Sequence, residues 1–253
     1  MVDIHCHILP GIDDGSKNME ESVKLCALGR SNHIKQMAAT PHFNAIGDLD
    51  EFLEIRDEKA AKLREENAKL GIDVEIFCGA EVYVDDDIFY SKNLKRAAIN
   101  NSRYILIEFD FYNNNIRSIF EYLDEIRSMG LIPIIAHPER YEYYQMDYDA
   151  VNEFFSRGVL FQINASSLAS RGSMEDFELA YEMAFKGAAA FIATDAHSVR
   201  HRPNDLEKML RAFPQDIDRD LMNRMLKTNA QHVLNDEPVR PNRFIRLIKR
   251  RYY

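Results

Sequence analysis

Near its beginning the chain reads DIHCHILPGIDDG over residues 3–15, with two histidines that are separated by one residue. Side chains on a β-strand alternate between its faces, so a strand over residues 2–7 would place His5 and His7 on one face, about 7 Å apart along the backbone. Two neutral imidazoles on one face can bind the same metal ion. The intervening residues are apolar and would face a hydrophobic core. This stretch therefore predicts a buried strand whose end carries two metal ligands.

Ionisable side chains follow other short apolar runs in the same way, at the C-terminal end of each run. The residues that share this placement are His42, Glu81, Glu108, His137, Asp195 and His197. Taken singly, such an acid is more often a helix N-cap or an ion-pair partner, and such a histidine is more often a core or turn residue. Charged side chains are rarely buried without a partner, however, and their recurrence at successive run ends predicts one shared metal site.

The composition limits the possible classes of function. The chain has 253 residues, 46% of them hydrophobic, and no stretch suggests a domain boundary, so one large domain is expected. Its formal net charge of −9 disfavours a nucleic-acid partner. The three cysteines form no Cys-x-x-Cys pair, which favours a reducing compartment over a disulfide scaffold or a zinc finger.

The two ends of the chain bear on its location. The N-terminus shows no signal-peptide pattern and no apolar run approaches the length of a membrane span, so we expect a cytoplasmic protein without a transmembrane segment. A basic C-terminal extension covers about residues 239–253 and contains no acidic residue. Such a segment is typical of a solvated helix end, and docking on an acidic partner or an anionic lipid surface is the alternative.

Strand-like and helix-like segments alternate along the whole chain. The predicted strands are residues 2–7, 35–40, 74–82, 104–109, 132–137, 159–164 and 190–195. The predicted helices are residues 19–33, 49–70, 115–129, 149–157 and 174–186, with a helical pair over 216–235. Gly130, Gly158 and Gly187 follow three of these helices, where a left-handed residue is favoured. Seven strands alternating with helices predict an α/β fold with a parallel sheet, whose closure would gather the candidate ligands on one face.

Several of these motifs resemble those of the polymerase and histidinol phosphatase (PHP) family of metal-dependent phosphoesterases. The resemblance covers nearly the whole chain, and the sequence is more narrowly similar to the bacterial manganese-dependent protein-tyrosine phosphatases of capsule and exopolysaccharide operons. The motifs that carry it are the stretch at 3–15, Thr40-Pro41-His42, Gly79-Ala80-Glu81-Val82-Tyr83, His137-Pro138-Glu139-Arg140-Tyr141, and Asp195-Ala196-His197 followed by Arg202-Pro203. The first loop and the His-Pro-Glu-Arg-Tyr stretch are the more specific of them.

The resemblance implies a distorted (β/α)7 TIM-like barrel, the PHP fold, as a single domain over residues 1–253 that includes the short basic extension. It also implies a cluster of three divalent metal ions. One ion would be bound by His5, His7, Glu81 and Asp195, a second by the bridging Glu81 with Glu108 and His137, and the third by Asp14, His42 and His197. The neighbouring Asp13 stays open as the alternative to Asp14. Mixed nitrogen and oxygen ligands suit manganese, iron or zinc, and the carboxylates and the resemblance favour manganese.

The implied activity is hydrolysis of phosphotyrosine by attack of a metal-bridging hydroxide. The ions would lower the pKa of a bridging water, bind the phosphoryl oxygens and align the nucleophile. Arg140 and Arg202 are candidates for binding the remaining phosphoryl charge, because guanidinium matches phosphate bidentately. His201 or Glu139 could supply a proton to the leaving group. No cysteine is followed by an arginine six residues later, which excludes the cysteine-based phosphatase mechanism.

The implied partner is a phosphotyrosine protein, the C-terminal tail of a bacterial tyrosine autokinase that regulates capsule or exopolysaccharide synthesis. Histidinol phosphatase, which shares the fold and the cluster, is the closest alternative. A phosphodiesterase or nuclease is disfavoured by the net charge of −9, and a catalytically inactive binding protein is disfavoured by the intact ligand set. Tyr141, Tyr143 and Tyr144 are predicted to line the substrate entrance, with loop packing as the alternative, and a homo-oligomer is open.

Overall fold

Strands and helices alternate along the chain in the computed structural model, which describes residues 1–91, 93–112, 115–240 and 242–249. The strands are β1 (Val2–Cys6), β2 (Gln36–Ala39), β3 (His42–Phe43), β4 (Glu75–Cys78), β5 (Glu81–Tyr83), β6 (Tyr104–Glu108), β7 (Ile132–Ala136), β8 (Leu160–Asn164) and β9 (Phe191–Ala193). The α-helices are α1 (Met19–Ser31), α2 (Leu49–Lys69), α3 (Ile116–Ser128), α4 (Glu142–Met146), α5 (Tyr148–Ser156), α6 (Ala165–Leu168), α7 (Met174–Phe185), α8 (Leu206–Leu210), α9 (Arg219–Asn223) and α10 (Asn229–Leu234). Short 3-10 turns lie at Asp86–Tyr90, Leu94–Ala97, Ile99–Asn101 and Pro138–Arg140. None of these helices is both long and apolar enough to cross a membrane.

Polar side chains fix where the main helices begin. Asn18 accepts a hydrogen bond from an amide in the first turn of α1, Asp48 does so for α2, and Ser173 begins a capping box at α7. These bonds satisfy amides that a first helical turn leaves without a partner. The helical pair predicted over 216–235 is instead one continuous run, because α9 passes through a π-helical turn at Arg224–Thr228 directly into α10.

All paired strands run parallel, in two sheets. One sheet has the order β1-β2-β4, and the other has the order β3-β5-β6-β7-β8-β9. Every strand of the larger sheet is parallel to its neighbours, with residues such as Ile134 and Ile135 of β7 fully buried. Buried parallel strands of this kind form when helices cover the sheet. The predicted α/β fold with parallel strands is confirmed.

Two neighbouring strands are interrupted at adjacent points, between β2 and β3 and between β4 and β5. The strand predicted at 35–40 corresponds to β2, and β3 beyond Pro41 was not predicted. The strand predicted at 74–82 is divided into β4 and β5. Pro41 lies at the first break and has no N–H to donate to the ladder. The second break lies beside it, and the Gly79 N–H still donates to the carbonyl of Ala39 at 2.9 Å. The splits therefore interrupt the ladder without separating the strands.

The ends of the first and last strands lie side by side. An isolated parallel bridge joins Cys6 at the end of β1 to Ala196, just after β9. The N–H of Asp195 donates to the carbonyl of His5 at 2.8 Å, and the N–H of His7 donates to the carbonyl of Ala196 at 2.8 Å. The two histidine-rich motifs, which are nearly the length of the chain apart in sequence, are therefore neighbours.

The basic C-terminal extension packs against α5. Its described part, residues 239–240 and 242–249, has no regular secondary structure, so the expected helix end is wrong there. Leu247 is buried, and its N–H and carbonyl both form hydrogen bonds with the Asn152 side chain, at 2.8 and 3.0 Å. Residues 241 and 250–253, which include two of the basic residues, lie outside the described residues.

Two glycines allow the packing of this extension to be tested. Gly158 and Gly187 both follow a helix with positive φ, +74° and +80°. A Cβ on Gly158 would meet nothing within 4 Å, whereas a Cβ on Gly187 would lie 2.6 Å from the carbonyl oxygen of Arg243. We expect Gly158→Ala to lower the free energy of unfolding by about 1–2 kcal/mol through left-handed strain. Gly187→Ala should cost at least about 1 kcal/mol more, because it also displaces the extension.

Urea unfolding of the two variants measures this difference. Gly158→Ala serves as the matched control, since it carries the same backbone strain without the clash. Equal losses of unfolding free energy in the two variants would mean that the C-terminal extension is not packed against Gly187.

Candidate metal centre

The carboxyl ends of the strands meet at one side of the molecule, and the nine predicted metal ligands lie there together. The sets whose ligand atoms lie within 4.8 Å of one another are His7, Asp14, His42 and His197; His5, His7 and Glu81; His5, His137 and Asp195; and His42, Glu81 and Glu108. These sets share members, so they form one continuous cluster. The candidate ligands at the strand ends, which were predicted to lie together, are neighbours in the structure.

His5 in β1 and His7 directly after it point the same ring nitrogen into the cluster. The Nε2 atoms of His5 and His7 lie 3.1 Å apart. Their other nitrogens are engaged outside it: Nδ1 of His5 donates to Gln162 Oε1 at 2.7 Å, and Nδ1 of His7 donates to Asp13 Oδ2 at 2.7 Å. Outer hydrogen bonds of this kind fix the tautomer and the orientation of metal-binding histidines. Both Nε2 atoms are thereby presented as ligands.

Glu81 lies at the centre of the cluster. Its Oε1 accepts a hydrogen bond from His137 Nε2 at 2.8 Å. Its Oε2 lies 3.1 Å from His5 Nε2, 3.2 Å from His7 Nε2 and 3.2 Å from His42 Nδ1. Although this oxygen is buried and surrounded by three ring nitrogens, it makes no hydrogen bond. An oxygen in these surroundings is placed as a bridging metal ligand would be.

Other buried nitrogen and oxygen atoms that could bind a metal ion also lack hydrogen-bond partners. They include Asp195 Oδ1, which lies 3.4 Å from His5 Nε2, and His197 Nε2, which lies 3.3 Å from Asp14 Oδ1. Ligand atoms of one ion lie about 3.0–3.4 Å apart when each bond is about 2.1 Å long. Native structures leave few buried polar atoms without a partner. The residues present therefore fit divalent cations.

The structure distinguishes the two adjacent aspartates of the first loop. Asp14 Oδ1 lies 3.3 Å from His197 Nε2 and 3.5 Å from His42 Nε2, which places it among the candidate ligands. Asp13 instead supports His7 from outside and accepts hydrogen bonds from the amides of Gly15 and His42, so its pKa is lowered to about 2 although burial alone would raise it. A Cβ on Gly15 would lie 2.3 Å from the carbonyl oxygen of His7, which explains the glycine of the motif.

Acids and imidazoles in the cluster offset one another's charge. Burial lowers the pKa of His7, but its hydrogen bond to Asp13 and the charge of Glu81 outweigh burial and raise this pKa to about 10. Neighbouring glutamates likewise raise the pKa of His137 to about 10 against the effect of burial. Burial raises the pKa of Glu81, yet the positive potential of His5 and the hydrogen bond from His137 hold it well below its usual range. Bound cations would take over this compensation and displace the protons.

The two predicted arginines lie at the edge of the cluster, beside Asp195. Arg202 forms an ion pair with Asp195 Oδ2, and its carbonyl accepts hydrogen bonds from the amides of His197 and Ser198 at 2.9 and 3.2 Å. Arg140 Nη1 lies 3.8 Å from the same carboxylate oxygen. Both guanidinium groups therefore lie close to the predicted metal ligands.

Two of the three tyrosines after Arg140 do not line an entrance as predicted. Tyr141 and Tyr144 are fully buried, and Tyr143 is partly buried. The Tyr144 ring packs edge-on against Phe154 at 5.4 Å, so it belongs to the hydrophobic core. The prediction is wrong for Tyr141 and Tyr144, because rings from other elements cover them.

Strand β8 supplies two supporting residues that the sequence analysis missed. Gln162 accepts the hydrogen bond from His5 and donates to Asn164 Oδ1 at 2.9 Å. Asn164 in turn donates to Asp195 Oδ2 at 2.7 Å. These two polar residues are two apart on an otherwise apolar strand, which is the pattern that marked His5 and His7. That signal could have identified them.

The two candidate proton donors differ in their access to solvent. Glu139 is fully buried, and its Oε1 accepts a hydrogen bond from the backbone N–H of Asn164 at 2.8 Å. Burial raises the pKa of the Glu139 carboxyl to about 7. His201 is exposed and lines an open cavity of about 550 Å³ that also borders Asp14, His197 and Arg202. The cluster is therefore open to solvent on this side.

Known proteins share both the sequence and the fold of this chain. The CapC protein of Staphylococcus aureus is 33% identical over 250 residues, which cover 94% of this chain and 95% of that protein. The tyrosine-protein phosphatase YwqE of Bacillus subtilis strain 168 is 28% identical over 240 residues, which cover 94% of this chain and 93% of YwqE. A crystal structure from work on YwqE from Bacillus subtilis and CpsB from Streptococcus pneumoniae, described as metal-dependent tyrosine phosphatases, matches with a TM-score of 0.88 and 25% identity over 98% of this chain and 100% of that chain.

The match to a whole family is equally extensive. The family model described as capsular polysaccharide synthesis, CpsB/CapC, matches residues 1–235, which contain all nine predicted ligands and both arginines. The part of the chain outside this match is residues 236–253, which include the basic extension. The chain belongs to the CpsB/CapC family.

Proposed function

We propose that this protein is a metal-dependent tyrosine-protein phosphatase. The observation that carries the proposal is the buried Glu81 carboxylate, which faces ring nitrogens of four histidines within a cluster of potential metal ligands. Clusters of divalent ions are suited to the hydrolysis of phosphate esters. Relatives named as tyrosine-protein phosphatases match 94% of the chain, which supports phosphotyrosine as the ester.

We propose that three divalent ions, with manganese favoured over iron and zinc, occupy the centre. His5, His7, Glu81 and Asp195 would hold one ion, Glu81, Glu108 and His137 a second, and Asp14, His42 and His197 the third. Neighbouring ligand atoms of His5, His7 and Glu81 support the first set, and those of Asp14, His42 and His197 support the third. The second set is supported by His137 Nε2, which lies 2.8 Å from Glu81 and 3.4 Å from Glu108. When bound, such ions lower the pKa of a water ligand and offset the charge of phosphoryl oxygens. The lack of thiolate ligands and the four carboxylates support a hard metal ion such as manganese.

The chain's own residues would bind and orient the phosphoryl group. Arg140 and Arg202 lie beside Asp195, where their guanidinium groups can donate to phosphoryl oxygens in a bidentate manner. A tyrosine leaving group has a pKa of about 10, so it departs more readily than an aliphatic alkoxide and needs little proton donation. The exposed His201 rather than the buried Glu139 is the better placed donor for any proton that is needed.

The partner we propose is the phosphorylated C-terminal tail of a bacterial tyrosine autokinase that regulates capsule synthesis. The family's description, capsular polysaccharide synthesis, supports the pathway. The open cavity of about 550 Å³ beside the cluster has room for a polypeptide segment. A cytoplasmic location fits a chain whose three cysteines are unpaired.

We further propose that the two sheets together form a distorted barrel of seven β/α units, in one domain over residues 1–253. Treating β2 with β3 and β4 with β5 as two interrupted strands gives seven strands in sequential order. The hydrogen bonds from Gly79 to Ala39 and from Glu81 to Pro41, at 2.9 and 3.0 Å, support joining the two sheets on one side. The bridge between Cys6 and Ala196 supports closure on the other.

Comparison of three substrates tests the proposed activity. With manganese present, we expect kcat/KM for a phosphotyrosine peptide to exceed that for histidinol phosphate and for bis-p-nitrophenyl phosphate by at least tenfold, because the leaving group and the open cavity favour the peptide. Steady-state hydrolysis measures all three. Preference for histidinol phosphate would assign the protein to histidine biosynthesis, and preference for the diester would reject the substrate class.

Removal of single histidines tests the ligand assignment. His42→Ala and His197→Ala should each lower turnover at least tenfold and reduce the manganese content, because each removes one ligand from a shared cluster. His33→Asn is the matched control, since His33 lies outside the cluster and asparagine tolerates its φ of 65°. Full activity and full metal content in either alanine variant would reject the assignment of that residue.

Metal removal tests the dependence on ions. Dialysis against a chelator should abolish activity and lower the melting temperature, because ions that bind only the folded state stabilise it. Manganese should restore both more fully than magnesium does, since five of the nine candidate ligands are imidazoles. Equal rescue by magnesium would indicate an all-oxygen site and contradict the assignment.

A further inference from the structure

The two arginines at the cluster are held in different ways. Arg202 forms an ion pair with Asp195 Oδ2, and Asn164 donates to the same oxygen at 2.7 Å. Arg140 Nη1 is 3.8 Å from that oxygen, which is beyond hydrogen-bonding distance. Within the described part of the chain, the Arg140 side chain makes no hydrogen bond. Besides this long ion pair, a second contact of the Arg140 side chain bears on its position.

That contact is the aromatic ring of Phe111. The guanidinium carbon of Arg140 lies over this ring, 4.8 Å from its centroid, which is within the range of a cation–π interaction. The Arg140 side chain is only 35% exposed, and cation–π attraction grows when the cation is removed from water. The same ring packs edge-on against the His137 imidazole at 5.5 Å, so it lies directly beside the metal cluster.

The loop that carries Phe111 is attached to the segment that carries Arg140. The carbonyl of Phe111 accepts a hydrogen bond from the Glu142 amide at 3.1 Å, and the Phe109 amide donates to the Tyr141 hydroxyl at 3.1 Å. The Phe111 ring also packs on the Tyr141 ring at 5.2 Å. The aromatic surface under Arg140 is therefore fixed relative to the backbone of Arg140 itself.

We propose that Phe111 is a positioning residue, whose aromatic face holds the Arg140 guanidinium beside the metal cluster so that it can bind the phosphoryl group. The inference rests on the proposed function, because it takes Arg140 as a phosphoryl-binding residue. Phe111 acts through Arg140 and needs no contact with the substrate. Its effect should therefore vanish when the guanidinium is absent.

A double-mutant cycle tests this dependence. The manganese-loaded variants are Phe111→Leu, Arg140→Ala and the double variant, with kcat/KM measured on a phosphotyrosine peptide. Leucine keeps an apolar side chain but removes the ring, so Phe111→Leu should lower kcat/KM about fivefold in the wild-type background. In the Arg140→Ala background the same change should cost less than twofold. Phe111→Tyr keeps the ring and should stay within twofold of wild type.

Two further readouts separate positioning from other effects. The manganese content should be unchanged in Phe111→Leu, because the ring is not a ligand. The dissociation constant of inorganic phosphate, measured by calorimetry, should follow the same cycle, so the coupling is tested even if the wild-type protein does not hydrolyse phosphotyrosine. Should Phe111→Leu fail to fold, Phe111→Met replaces it. Equal losses in both backgrounds, no loss in either, or loss of manganese would overturn the proposal.

Discussion

The buried carboxylate of Glu81 is the group on which the arrangement of the strands depends. It begins β5, pairs in register with His42 of β3, and faces His5 and His7 at the end of β1 and His137 directly after β7. A buried charge that loses its partners costs about 3–5 kcal/mol. A shift of one residue in any of these strands would turn the histidines to the opposite face and leave the carboxylate without compensation. The cluster therefore fixes the register of the sheets as well as the chemistry of the site.

The proximity of most candidate ligands could be predicted from the sequence, because parallel strands bring together residues that share a local position at strand ends. Glu108 and His137 end neighbouring strands, and the carboxyl ends of parallel strands meet at one edge. Asp14 could not be chosen in this way, because Asp13 is adjacent and equally acidic. Their roles are separated by the backbone of the loop, where Gly15 packs against the carbonyl of His7 and turns the two carboxylates to different partners.

The features that the sequence did not predict depend on contacts between distant segments. Tyr144 is polar enough to suggest an entrance, and its burial is decided by Phe154 and Phe161, which belong to other elements. Phe111 lies three residues after the end of β6, in a stretch without a recognisable sequence motif. Its proposed role depends on its contact with Arg140, which lies in the segment after β7. Pro41 marks in the sequence the break between β2 and β3. The second break, between β4 and β5, lies beside the first because β4 pairs with β2 and β5 pairs with β3, and this pairing could not be read from the sequence.

The charges of the cluster favour more than one metal ion. Five neutral imidazoles and four carboxylates carry a charge of −4, so a single divalent ion would leave the centre negative and repel a phosphate ester. Two ions would only neutralise it. In the proposed centre, three would make it positive by two charges, or by one when the attacking hydroxide is counted. A positive centre attracts a phosphate dianion, and the two arginines add to this charge and orient the ester. Ions that share the charge of Asp195 would free Arg202 from its ion pair, whereas Arg140 is already supported by the neutral ring of Phe111.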